Sequence, residues 1–238
     1  MLVPHGMSNR DQYHRDLIGH LTQFITENRW KLFQDVLSRR TRYITVMLED
    51  IYQSQNASAV LRTCDCTGIQ DVRIVENRNE YTINPDVTLG SNQWLTLRYY
   101  KESDDNTSVA IGELKKKGYR IVATSPHLEG TTPDTFELDK GPAVFLFGTE
   151  LNGLTDRALE QAEETIRIPM AGFTASYNIS VSAAIILYRL RKRLEESTIE
   201  WEIREEEKND ILLQWLRSTI HKVELIEKEF NNNYRPNF

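Results

Sequence analysis

Residues 166–188, Ile-Arg-Ile-Pro-Met-Ala-Gly-Phe-Thr-Ala-Ser-Tyr-Asn-Ile-Ser-Val-Ser-Ala-Ala-Ile-Ile-Leu-Tyr, constrain this chain more than any other stretch. Ile166, Ile168 and Met170 alternate with Arg167 and Pro169, which predicts a short strand. A turn of small and polar residues follows, and then a helix that is apolar almost all round. Val181, Ala184, Ile185 and Tyr188 share one face, while Ile186, Leu187, Leu190 and Leu194 cover the next, so burial on most sides is expected. The first turn of the helix is the exception. Ser176, Asn178 and Ser180 bring hydroxyls and an amide to a run of unpaired backbone N–H groups, where either a ligand or a cap could be held.

A strand leading through a polar turn into a buried helix needs a sheet to lie on, and the preceding residues supply one. Strands are predicted at 43–48, 72–76, 95–100, 120–124 and 143–147. Helices at 56–68, 107–117 and from Thr155 or Asp156 onward alternate with them. That alternation argues for an α/β fold with a mostly parallel sheet and helices on both faces. Ligands in such sheets sit outside the carboxyl ends of the strands, where the turns at Gly148 and Gly172 fall. Taken alone, the Gly148 turn is equally explained by turn chemistry.

In the helix at 56–68, Asn56 reads as the N-cap and Gly68 as the stop, with Ala57, Val60, Leu61 and Cys64 on the inner face. Arg62 and Asp65 lie on the outer face, where a surface ion pair is the plainest reading. The loop at 77–93 leads to Gly90, Ser91, Asn92 and Trp94, an exposed-looking polar set with one aromatic. Amphipathic helices are expected at 9–38 and 201–230, and a surface basic cluster at Arg189, Arg191, Lys192 and Arg193. The boundaries that follow are a helical extension at 1–42, a central domain at 43–196 and a second helical extension at 197–238.

Charge narrows the partners less than the motifs do. The chain has 29 basic and 35 acidic residues and a net charge of -6. Residues 1–42 carry seven Lys or Arg against four acids, so they are basic and the remainder is acidic. Arg39, Arg40 and Arg42 form either a solvated helix end or a phosphate-contacting patch. Residues 1–6 lack a basic segment leading into an apolar one, and the longest apolar run is 183–188. Neither export nor membrane spanning is expected. Cys64 and Cys66 suit neither a metal pair nor a redox motif and read as reduced residues of a cytoplasmic protein. No phosphate-loop motif, dinucleotide fingerprint, zinc spacing or Ser-His-acid set is present.

Three segments together resemble the SpoU class of RNA ribose 2′-O-methyltransferases, within the SPOUT or α/β-knot superfamily. The first is Asn56-Ala-Ser-Ala-Val-Leu-Arg62-Thr-Cys-Asp65-Cys-Thr-Gly68 and the second Phe147-Gly148-Thr-Glu150-Leu-Asn-Gly153-Leu154. The third is Ile168-Pro-Met170-Ala-Gly172 followed by Ser176-Tyr-Asn178-Ile-Ser180-Val181. Gly90-Ser-Asn-Gln-Trp94 and the wording around Arg62 are similar to the tRNA guanosine-18 subgroup. The resemblance covers roughly 41–194.

It implies a C-terminal trefoil knot, bound S-adenosylmethionine, tRNA as substrate, and a homodimer with its active site at the subunit interface. Ribosomal RNA is the alternative substrate, and a catalytically silent RNA-binding knot protein the alternative class. Arg62 takes the catalytic role in that resemblance. A guanidinium with a pKa above about 12 is a poor base, which makes phosphate orientation and stabilisation of the developing alkoxide its safer assignment. Asn56 would orient Arg62, Glu150 would fix the loop or a substrate group, and Ser176 and Asn178 would position the nucleotide and Arg62 from one or the other subunit. Thr124, Gly148, Ile168 and Met170, with Glu150, Ser176, Asn178 and Val181, would hold the cofactor, while Arg39, Arg40, Arg42 and Arg62 would meet RNA. Tyr177 and Ile179 stand where leucine and valine are usual, which touches only the pocket's shape.

Overall fold

The computed structural model describes residues 9–235, so residues 1–6, read above for a targeting segment, lie outside it. The chain divides into two compact units, Thr41–Glu202 and a second made of the residues on either side. The two helical extensions thus belong to one body, with limits at 40/41 and 202/203 in place of 42/43 and 196/197. In chain order the helices are α1 Asn9–Leu21, α2 Glu27–Leu37, α3 Ser54–Thr67, α4 Pro85–Thr88, α5 Asn106–Lys116, α6 Asp156–Gln161, α7 Ile179–Glu195, α8 Glu205–Thr219 and α9 Val223–Asn233.

In the central unit, β1 Ile44–Glu49, β2 Asp71–Val75, β3 Thr96–Tyr100, β4 Arg120–Thr124, β5 Ala143–Phe147 and β6 Glu164–Ile166 form one sheet in the order β3-β2-β1-β5-β4-β6. Every neighbouring pair is parallel. β1 and β5, at the centre, are buried at every residue, as expected of strands covered on both faces. Alternation along β1 sends Ile44, Val46 and Leu48 to the core shared with α3 and α7, and Met47 to the core shared with α5 and α6. Burial of this kind is the dominant stabilising term, at roughly 25 cal/mol per Å² of apolar surface.

Four expectations need correction. The last strand spans Glu164–Ile166 and stops where the predicted strand begins: β4 pairs with it over those three residues, and on its other side Thr131 bridges Ile166, with the Arg167 amide donating to the Thr131 carbonyl as the last of these bonds. Asn56 sits inside the first turn of α3, whose N-cap is Gln53; Gly68 does end the helix, in the left-handed conformation at φ 77°. The predicted helix at 201–230 is two helices, broken at an extended Ile220 and a left-handed Lys222. The Gly90–Trp94 segment is not wholly exposed: Ser91 is buried and Trp94 half-buried within a 3-10 turn.

The helix α7 is buried on one face only. Ala183, Ile186, Leu187, Leu190 and Leu194 join the core, whereas Val181, Ile185 and Tyr188 are exposed. Arg191, read as part of a surface cluster, is buried, with its guanidinium 3.8 Å from the centre of the Trp201 ring. In the helical unit, Leu17 and Leu21 of α1, Phe33 and Leu37 of α2, and Ile211, Trp215 and Leu216 of α8 are buried.

Candidate functional site

The carboxyl ends of β4, β5 and β6 open into a pocket of about 360 Å³. Three turns wall it, one after each strand, and the start of α7 closes it. Thr124 leads into Ser125, Pro126, His127 and Leu128; Phe147 leads into the 148–154 loop; and Ile166 leads into Arg167, Ile168 and Met170. Leu159 of α6 and Ser176, Tyr177, Ile179, Ser182 and Ile186 complete the lining. Glu150 is the one acidic side chain among these residues.

The loop at 148–154 has a shape that its own residues enforce. Thr149 and Gly153 exchange backbone hydrogen bonds of 2.9 and 3.0 Å, which folds the chain back on itself. A Cβ on Gly148 would lie 2.2 Å from the Gly153 carbonyl, so only glycine admits this fold. Thr155 then caps α6 by accepting from the Ala158 amide.

The three sequence motifs converge on Asn56. Its Nδ2 donates to Glu150 Oε1 at 2.6 Å, and its Oδ1 accepts from Asn178 Nδ2 at 3.1 Å. Asn178 in turn caps α7, with Oδ1 accepting from the Ser180 amide at 2.8 Å and its hydroxyl at 2.6 Å. Of the two roles open to the first turn of α7, the cap belongs to Asn178, while Ser176 faces the pocket. Asn56 is 8% exposed, so its amide is held by protein rather than by water.

Thr124, Gly148, Glu150, Ile168, Met170 and Ser176 line the pocket; Asn178 and Val181 do not, and Val181 is exposed on the outer face of α7. Arg62 lies on the exposed side of α3 and makes no hydrogen bond or ion pair among the described residues. It is six residues beyond Asn56, about 9 Å along the helix axis. The loop at 77–93 packs beside α3, where the buried Tyr81 hydroxyl meets Ser58 at 2.9 Å; burial pushes its pKa up to about 12.

The arginine run is not one exposed patch. Arg40 is 2% exposed and lies 5.5 Å over the Trp215 ring, and Arg42 pairs with Asp71 at 3.0 Å. Arg39 alone is exposed, its Nε donating to the Asp35 carbonyl. Conversely, Ser125, His127, Leu128 and Arg167 line the pocket without having been singled out. Their only sequence signal was position, just past a strand in a parallel sheet.

Comparison with known proteins agrees with this geometry. Residues 43–188 match the model of the SpoU rRNA Methylase family. The chain is 44% identical over 215 residues to a tRNA (guanosine(18)-2′-O)-methyltransferase of Borreliella burgdorferi, covering 90% of this chain and 96% of that one. A Thermus thermophilus protein of the same name is 34% identical, over 81% of this chain and 97% of its own. Among solved structures, the A. aeolicus TrmH/SpoU tRNA modifying enzyme superposes with a TM-score of 0.72 at 30% identity, over 82% of this chain and 98% of that one.

Proposed function

The chain belongs to the SpoU methylase family, and we propose that it transfers a methyl group from S-adenosylmethionine to the ribose 2′-hydroxyl of guanosine 18 in tRNA. The observation that carries this reading is the line of hydrogen bonds from Glu150 through Asn56 to Asn178, which ties all three motifs together beside the pocket. Two relatives bearing that name match 90% and 81% of the chain.

The pocket suits the cofactor chemically. Phe147, Leu154, Ile166, Ile168 and Ile186 offer apolar surface for a purine, and the backbone at three strand ends offers donors and acceptors for its edge and ribose. When bound, S-adenosylmethionine supplies a methyl group on a positively charged sulfur, ready for displacement by an oxygen nucleophile. The 148–154 loop and the backbone after β6 hold the adenosine, and Asn56 and Asn178 fix the loop and the start of α7 relative to each other.

On the RNA side, the Arg62 guanidinium holds a neighbouring phosphate and opposes the negative charge growing on the 2′-oxygen. Arg39 adds a phosphate contact outside the site. The exposed face of α7, Val181, Ile185 and Tyr188, with Tyr177 and the fully exposed Phe173, suits burial against a second copy of the chain. A homodimer would set Arg62 and the pocket in one site, with the end of the sheet threaded as a trefoil knot. Among the described residues no helix is long and apolar enough to cross a membrane, and the cytoplasm, where tRNA is found, is the place of action.

Labelled S-adenosylmethionine incubated with the protein and unmodified tRNA tests this. Nuclease digestion should place the label on the ribose of guanosine 18. Label found only in ribosomal RNA would contradict the substrate, and cofactor binding without transfer would favour a knot protein that only holds RNA.

A further inference from the structure

Glu49 ends β1 with its side chain 1% exposed, in a part of the sheet that holds no chemistry assigned so far. Its Oε2 accepts from the Thr155 amide at 2.9 Å. Its Oε1 accepts from the Thr155 hydroxyl at 2.8 Å and from the Thr107 hydroxyl of α5 at 2.5 Å. A buried carboxylate satisfied by three donors is a fixed anchor, because moving any one donor would leave charge uncompensated in a dry site. What it anchors is the far end of the pocket loop. Thr155 directly follows residues 148–154, and the same residue caps α6.

The near end of that loop is set by the Gly148 contact and its middle by the bond from Asn56 to Glu150. Both side chains that reach the loop from outside, Glu49 and Asn56, therefore come from one short stretch running from the end of β1 into the first turn of α3. That stretch is stiffened in its own right. Asp50 adopts a left-handed φ of 52°, and its carboxylate accepts from the amides of Asn77 and Arg78 at 2.6 and 2.9 Å.

We propose that Glu49 is a positioning residue for cofactor binding: it clamps Thr155 so that the 148–154 wall of the pocket keeps its bound shape before the cofactor arrives. The inference rests on the reading of that pocket as the S-adenosylmethionine site. Preformed walls spare the ligand the cost of ordering them, so the clamp acts on affinity for the cofactor and not on the chemistry of the 2′-hydroxyl.

The test uses the full chain and titrates S-adenosylmethionine by calorimetry, with tRNA binding and thermal unfolding measured alongside. Glu49→Ala should weaken cofactor binding about tenfold or more while tRNA affinity is unchanged. Glu49→Gln should restore most of it, because its amide oxygen can still accept from the Thr155 amide while its nitrogen donates to a hydroxyl. If Glu49→Ala does not fold, Thr155→Val keeps the backbone bond and removes the hydroxyl's bond to Glu49 together with its cap on α6, and should show a smaller loss in the same direction, whereas Thr155→Asn, which can still cap, separates the two. Wild-type binding with unaltered affinity in the folded Glu49 or Thr155 variants would overturn the inference alone. A wild-type chain that binds no S-adenosylmethionine would overturn the reading of the pocket and this inference with it.

Discussion

Two walls of the same pocket are built on opposite principles. The 148–155 wall is pinned at four places: the Gly148 contact, the Thr149–Gly153 pair, Glu150 on Asn56, and Thr155 on Glu49. The wall at 168–177 makes no hydrogen bond among the described residues, and all of 171–177 is exposed. The first wall has its shape from the chain itself. On the proposed function, the second would take its final shape from what binds, whether cofactor, tRNA or a second subunit, with the ordering cost falling on those events.

The largest effect that probes this difference lies outside both walls. Arg62→Ala should lower the transfer rate about 10³-fold with cofactor affinity nearly unchanged, since its charge acts only on the RNA side. A matched loss of cofactor binding, read by calorimetry, would mean that Arg62 belongs to the pocket. Next in size is a pair of glycine substitutions. Gly148→Ala drives a methyl group into the Gly153 backbone and should destabilise the loop by roughly 1–3 kcal/mol, with cofactor binding lost in step. Gly172→Ala meets nothing within 4 Å and should be nearly silent in both thermal unfolding and titration. Equal effects at the two positions would erase the distinction between the walls.

A smaller change is expected from Asn56→Ala, which cuts the bonds to Glu150 and Asn178 together. Both partners can reach water, so the cost should be about 1 kcal/mol in stability and about tenfold in turnover. An unaltered steady-state rate would show that the tie between motifs is incidental. Smallest of all, Arg39→Ala should flatten the salt dependence of tRNA binding by about one unit of slope, whereas Arg40→Ala should lower the unfolding temperature by removing a buried contact with Trp215. The reverse pattern would restore the arginine run as a single RNA-binding patch.

Much of the pinned wall was legible in the sequence. Strands at the centre of a parallel sheet are near-continuous apolar runs, and turns after them are marked by glycine, so β5 and the Gly148 turn stood out. What carries Glu49 and Asn56 to that turn is the lateral pairing of β1 with β5, almost a hundred residues apart, and no local pattern encodes it. The open wall was misread for a related reason. Alternation at 166–170 looks like a strand, yet a strand exists only where a neighbour accepts its hydrogen bonds, and among the described residues none does beyond Arg167, whose amide donates to the Thr131 carbonyl. Likewise α7, apolar almost all round, reads as buried on most sides, although this chain covers only one of its faces. Arg40 and Arg191 were invisible as core residues because composition places arginine outside, and only a tryptophan in the right place reverses that.

Amide hydrogen exchange with and without S-adenosylmethionine tests the contrast most directly. The 148–155 segment should be protected in both states, while 168–177 should exchange fast in the free protein and slow markedly on binding. Equal protection of the two segments in the free protein, or a cofactor effect that misses 168–177, would contradict a pocket made of one prebuilt wall and one ordered by its ligand.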